Sequence, residues 1–421
     1  MKKLITLISA CVSLLVMQGC NNEYFDKGTV EEILERSFHN DTIDANHTWR
    51  LMTEHSILVT TSVNDVERVE LLTANPREAV GELLAEQSIT SGGTVSLTYS
   101  VHLAQQQLYA AAVDKNGAYY IVPFTKGDKS VSIDSDATTL TSSQIRKPER
   151  QEVSYCFCNG YPEPSLTWDF NDLVLRVSRQ VVDDYTLRLK VTLAAVGTTV
   201  QEAAALRLVG INYDEIESLT CVDDKRFPAN EQYSRFIITQ TGDLIKSRNG
   251  EAVINLFDDA HYAINTYGVD KTGQVMRNYY NVGNTAAAGF YIRNEVTVTY
   301  DVRFKQSGVA AIVTFDKIDP FMIYGYNGSM WEIHKYAYKL DEVLFQYYGG
   351  NPFNYDTGFT WALEVPYSWF RYPLEGKAIG GYQKGELSGA YCEPGHSFGQ
   401  WAAHSDQSTD WYLYPTDKDV Y

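Results

Sequence analysis

The chain has 421 residues, a formal net charge of −18 and 21% charged residues. That acidic balance argues against a nucleic-acid partner, because phosphate binding needs clustered Lys and Arg. It suits an exported, solvated protein. Tyr is abundant (30) against few Met (6) and Pro (12), a composition that favours strands.

Residues 1–19 join Lys2 and Lys3 to an apolar run from Leu4 to Met17 and end on Gly19, the three-part pattern of an export signal. The run is too short for a stop-transfer helix. Cys20 directly after Gly19 fits a bacterial lipobox, which makes Cys20 the lipidated first residue of the mature chain and the membrane its partner through acyl chains. Residues 20–46 are polar and acidic and read as a lipid-anchored tether.

From His47 short strand patterns recur ("SILVTTSV", "TVSLTYSV", "AYYIVPF"), broken by Asn, Gly and Asp turns. Residues 47–136 read as an antiparallel β-sandwich. Within it "NPREAVGELLAEQ" reads as a helix or a long turn. Residues 137–150, rich in Thr and Ser and then charged, read as a linker. Residues 151–421 form a larger β-rich domain with a few short helices. Alternation is clearest over Tyr185–Val196 and Asn294–Phe304, and a helix is expected at about 397–404. The fold class is mostly β.

The stretch "LTWDFNDLVLRV" carries the chemistry worth weighing. Asp169, Asn171 and Asp172 could supply three oxygen ligands to Ca²⁺, with Glu163 a fourth. The alternative is that they cap a turn that starts a strand. Catalytic carboxylate pairs in glycosidases usually come from distant strands, so an acid–base reading of this stretch is the weakest. "GHSFG" at 395–399 fits the serine nucleophile pattern but lacks the preceding strand, and His404 precedes Asp406 and Asp410, the wrong order. No catalytic constellation is identified. Glu332 and His334 would share a strand face, a pair more often structural than metal-binding. Of the four cysteines of the mature chain beyond Cys20 (Cys156, Cys158, Cys221 and Cys392), free thiols, disulfides and a metal site all stay open. Trp361 and Trp369, in a C-terminal region dense in aromatics, could stack on sugars or fill the core.

"WDFNDLVLRV" resembles the aspartate-rich strand start of LruC-type domains, found in lipoproteins of Bacteroidetes and some spirochaetes. "LRLKVTLAAVGTTVQEAAALRLVGI", "DPFMIYGYNGSMWEIH", "WALEVPYSWFRYPLEGKAIGGY" and "FGQWAAHSDQSTDWY" follow in the family's order, covering roughly 150 to 415. The N-terminal block is similar to the sandwich that often precedes such a domain. The family pattern has a further Asp where this chain has Thr167. The resemblance implies an exported, non-enzymatic lipoprotein; the outer membrane is the expected location, and Glu23 and Asp26 close to Cys20 favour the cell surface over the periplasmic face. An adhesion, assembly or structural role is expected, with outer-membrane proteins or polysaccharide as partners and glycan binding as the alternative. Asp41-Thr42-Ile43 also resembles the short O-glycosylation signal of that phylum, with Thr42 as acceptor. In this picture the sandwich spaces the larger domain from the membrane.

Overall fold

The computed structural model describes residues 38–159, 167–227, 242–269, 271–283, 290–326, 329–335, 342–346 and 358–421. Nine strands build the N-terminal part: β1 (Met52–Thr61), β2 (Val66–Leu72), β3 (Glu82–Ser88), β4 (Thr94–His102), β5 (Gln107–Asp114), β6 (Tyr119–Thr125), β7 (Ser130–Ile133), β8 (Thr138–Leu140) and β9 (Glu149–Arg150). They form a three-stranded sheet, β4-β1-β7, and a six-stranded sheet, β8-β6-β5-β2-β3-β9. Side chains alternate along each strand, so Ile57 and Val59 of one sheet meet Val69, Leu71, Leu108 and Ala110 of the other in a shared core. This is the expected sandwich, except that its strand pairs β1–β7 and β3–β9 run parallel rather than antiparallel.

Three expectations change. Residues 137–150 are not a free linker. They supply β8 and β9 to the six-stranded sheet, and Leu140 and Ile145 cover its second face over Leu72, Val113 and Ile121. "NPREAVGELLAEQ" is a turn followed by β3. Leu83 and Leu84 are both buried because both faces of this sheet are covered, and two adjacent buried Leu mimic a helical stripe. Finally, residues 38–46 are docked rather than hanging free. Asn40 bridges to Tyr382, the Asp44 carboxylate accepts from Ser405, and the His47 ring meets the Trp401 carbonyl at 2.9 Å.

The C-terminal body continues with β10 (Glu152–Phe157), β11 (Leu173–Asp183), β12 (Thr186–Val196), β13 (Glu202–Asn212), β14 (Ile216–Asp224), β15 (Leu244–Lys246), β16 (Glu251–Phe257), helix α1 (Ala260–Ala263), β17 (Tyr267–Val269), β18 (Val275–Arg277), β19 (Tyr279–Tyr280), β20 (Phe290–Tyr291), β21 (Val296–Phe304), α2 (Val309–Ile312), β22 (Ile318–Tyr326), β23 (Ser329–Ile333), β24 (Ala362–Val365) and α3 (Phe398–Ala403). One sheet follows the path β14-β21-β12-β11-β10-β24, and the other is β15-β16-β13-β22-β23. Their facing residues, among them Val177, Leu189 and Val302 from the first and Leu206, Ile254 and Met322 from the second, share one core. The far face of the second sheet, with Ala203, Val253 and Phe321, is capped by Val343. Double coverage explains why "AAALRLVGI" in β13 is a nearly unbroken apolar run instead of an alternating one.

Candidate metal centre

Strand β10 delivers Cys158 and Asn159, both buried, to the bottom of the core. On the other side of the connection to β11, Trp168 and Phe170 take left-handed backbone, with φ of 55° and 50°. Such a conformation costs a non-glycine residue about 1–2 kcal/mol and persists where packing over-determines it. Here Trp168 lies 4.8 Å from Trp361 and 5.2 Å from Phe38, ring centre to ring centre. The kinked backbone turns Asp169, Asn171 and Asp172 inward, leaving them 6%, 0% and 8% exposed.

Hydrogen bonds draw three other segments onto this loop. Asp172 Oδ2 accepts the Asn159 N–H at 2.8 Å, and Asp169 Oδ2 accepts the Gly376 N–H at 3.0 Å. Asn171 Nδ2 donates to the Pro373 carbonyl at 3.0 Å. Asn159 Nδ2 donates to Glu202 Oε1, at the first residue of β13. Gly197, which precedes β13, donates its N–H to the Asp172 carbonyl at 2.9 Å. Ligand atoms of Cys158, Asp169 and Asp172 lie within 4.8 Å of one another.

Four carboxyl groups thus share one buried region, and none has a cationic partner among the described residues. Burial and then the Asp169 charge push Asp172 well above the usual carboxylate range. Burial raises Asp169 to about 6, against the Gly376 N–H that favours its charge. Glu202 is held well above its ordinary value by burial and by Asp172, and Glu375 rises to about 8 through burial and Asp169. Asn171 Oδ1, Glu202 Oε2 and Glu375 Oε2 are buried acceptors that no donor reaches.

Unpaired buried charge and unmet acceptors are both costly. Such a group of acids keeps protons or takes a cation. Acceptors lacking donors favour the cation, and an oxygen-rich set with carboxylate and amide donors is what Ca²⁺ prefers. The Cys158 thiol hydrogen-bonds to Asp172, so it sits at the edge of the donor set and leaves it dominated by oxygen.

The structure therefore gathers Asp169, Asn171 and Asp172, which stand together in the sequence. It adds Glu202 and Glu375, which sequence reading left without a role, and Cys158, for which a metal site was one of three open readings. "VQEAAALRL" and "YPLEGK" carried these two Glu residues, but nothing in either stretch says that it faces the Asp-rich loop. Glu163 and Cys20 lie outside the described residues. Thr42 is exposed. Trp361 is 2% exposed and packed on Trp168, which corrects its reading as a sugar platform: its face is not available. Trp369 is 55% exposed and lies 4.4 Å from Tyr367.

The remaining candidates are structural. Ser397 caps α3 by accepting the Gln400 N–H, and the neighbouring His396 is paired with Asp410 at 2.8 Å. His334 bonds Asp319 at 2.8 Å and Glu332 at 3.0 Å. Burial opposes its charge, yet the two carboxylates raise it to about 9. Cys156 and Cys158 are buried, Cys221 exposed and Cys392 half-buried, and none of the four is in a disulfide among the described residues.

Residues 184–412, more than half of the chain, match the family described as a domain of unknown function (DUF4842), and the chain belongs to that family. No curated protein matches it. A solved candidate lipoprotein of Bacteroides ovatus is similar at a TM-score of 0.50 and 15% identity, over 85% of this chain and 99% of that one. At that identity the likeness concerns the fold. The major pilin SpaD of Corynebacterium diphtheriae (TM-score 0.15, 8% identity, 72% of each chain) and the T6 backbone pilin of Streptococcus pyogenes (0.14, 10%, 65% of this chain and 58% of that one) are too distant to carry an argument. The described residues include no helix long and apolar enough to cross a membrane. A mostly β architecture of layered sheets, in a family of unknown function, is the class that fold and family define.

Proposed function

We propose that this is a non-catalytic, LruC-type lipoprotein, anchored through Cys20 in the outer membrane and exposed at the cell surface, whose larger domain is stapled by a buried Ca²⁺. The observation that carries the reading is the placement of its perturbed acids. Asp169, Asp172 and Glu202 are closed off from solvent, where an ion can be held but a substrate cannot be turned over. Ca²⁺ would bridge the Asp-rich loop, β13 and the 373–376 segment, which lie far apart in the chain. Such a body suits adhesion to, or assembly with, outer-membrane proteins. The test is elemental analysis of protein purified without chelator. One calcium per chain, lost in the variant Asp169→Asn/Asp172→Asn, is the expected result; a metal-free wild type at millimolar calcium contradicts it.

A second reading, glycan binding, keeps one observation in its favour. Trp369 is exposed beside Tyr367, and such a pair offers an apolar face to a sugar ring. Glycan-array binding lost in Trp369→Ala supports it, and an unchanged array profile removes it. Thr42, exposed at the edge of the docked N-terminal segment, remains the proposed O-glycan acceptor. An intact mass unchanged by Thr42→Ala, beyond the substitution itself, speaks against it.

A further inference from the structure

The seam between the sandwich and the larger domain holds a cleft of about 240 Å³. Strands β3 and β4 form one wall, while β11 and α2 form the other. Leu84, Leu97, Val181 and Ile312 give it an apolar strip, beside the polar Glu86, Gln87, Ser96 and Thr98. Ile312 stands 53% exposed at this cleft, presented by the four-residue helix α2.

Arg179 and Arg150 also line the cleft. The Arg150 guanidinium has a carboxylate partner: its Nη2 donates to Glu86 Oε1 at 2.6 Å. Arg179 lacks one among the described residues. Its Nη2 reaches only the Ala310 carbonyl at 3.3 Å, and its Nε is buried with no acceptor. Burial and the nearby Arg150 charge push its pKa down to about 10, with only Glu54 acting in its favour. A guanidinium is built to take a carboxylate through parallel N–H donors. Here it has none.

We propose that this cleft binds a small organic anion, a carboxylate with a short aliphatic chain, with the carboxylate on Arg179 and the chain along Leu84, Leu97, Val181 and Ile312. The volume falls below the roughly 300–1,000 Å³ of sites for drug-sized ligands, which limits the occupant to a short chain. Asp184 at the exposed rim disfavours a second negative charge, so the ligand is a monoanion. Because the walls belong to different domains, the ligand also ties the sandwich to the larger body. None of this depends on the metal centre, so either proposal can fail alone.

The test titrates hexanoate into the full chain, followed by ligand-observed NMR, with 1-hexanol as the uncharged control. Hexanoate is expected to bind with a dissociation constant of about 1 mM, and 1-hexanol at least about tenfold more weakly. Arg179→Gln should weaken hexanoate about tenfold while leaving 1-hexanol unchanged. Ile312→Asp, at an exposed position that does not put folding at risk, should weaken both probes. The proposal is overturned if hexanoate does not bind at about 10 mM. Equal binding of hexanoate and 1-hexanol, or full binding by the Ile312→Asp variant, overturns it equally.

Discussion

Gly197 lies so close to the Asp-rich loop that a Cβ there would fall 2.0 Å from Asn171 Oδ1 and 2.7 Å from its carbonyl oxygen. Nothing but hydrogen fits. Gly197→Ala should cost about 1–3 kcal/mol, the usual penalty for overpacking, and denaturant unfolding would measure it. A cost near zero would mean that Asn171 is not held where it stands. Glu202→Gln separates the protonated from the metal-loaded centre. Without calcium it removes a buried acid that has no cation, so stability should hold or rise. With calcium it removes a ligand, and affinity should fall about tenfold, or 1.4 kcal/mol. Calorimetry in both conditions gives the two halves. The Asp-rich loop was legible because its polar side chains are neighbours in sequence. Glu202 and Glu375 were not, because only the packing of the β13 sheet on the β10–β11 sheet brings Glu202 to it, and Glu375 arrives on the 373–376 segment that Asn171 and Asp169 hold.

Among the elements, the clean alternators were easiest to read. β12 and β21 have one regular face each and appear within two residues of where their patterns place them. β3 and β13 are covered on both faces, so alternation gives way to continuous apolar runs that can be taken for helix. The 342–346 segment has no sequence signature at all. Glu332 holds it: its carboxylate accepts the N–H groups of Val343, Leu344 and Phe345 at 2.9, 2.6 and 3.0 Å. Glu332→Gln should release that strap, seen as faster amide exchange at 343–345, and should cost on the order of 3–5 kcal/mol because His334 and the strap both lose a buried partner. At the seam between domains, Glu82 is raised to about 8 by burial and by Glu149. A raised folded-state pKa gives stability that is full below the unfolded value near 4.5 and lost as pH climbs through 8. Wild type should therefore lose stability between pH 5 and 9 by more than Glu82→Gln does, as thermal scans across that range would show. Parallel pH profiles would contradict the burial of Glu82.

For the molecule as a whole, the N-terminal chain sets the orientation. Residues 38–46 dock on the larger domain before the sandwich begins, so the sandwich does not lie between this N-terminal segment and the larger body as sequence order suggests. If Cys20 carries the lipid, the residues between it and Phe38 reach at most about 60 Å when fully extended. The face around Tyr382 and Gln383 then lies nearer the bilayer than the sandwich turn at Asn116. Lipid-borne quenchers should dim a label at Gln383 more than one at Asn116; the reverse order would restore the spacer picture. The central claim, that a buried cation staples this fold, is tested most directly by thermal unfolding with and without calcium. If Ca²⁺ binds only the folded state, ligand at about a hundred times its dissociation constant adds about 2.7 kcal/mol, and each kcal/mol moves the midpoint by about 2–4 °C. EGTA should then lower the midpoint by roughly 5–10 °C, and Asp172→Asn should abolish the response. A midpoint that stays the same with EGTA and with millimolar calcium would contradict the account and leave the Asp-rich loop as a buried turn that carries protons.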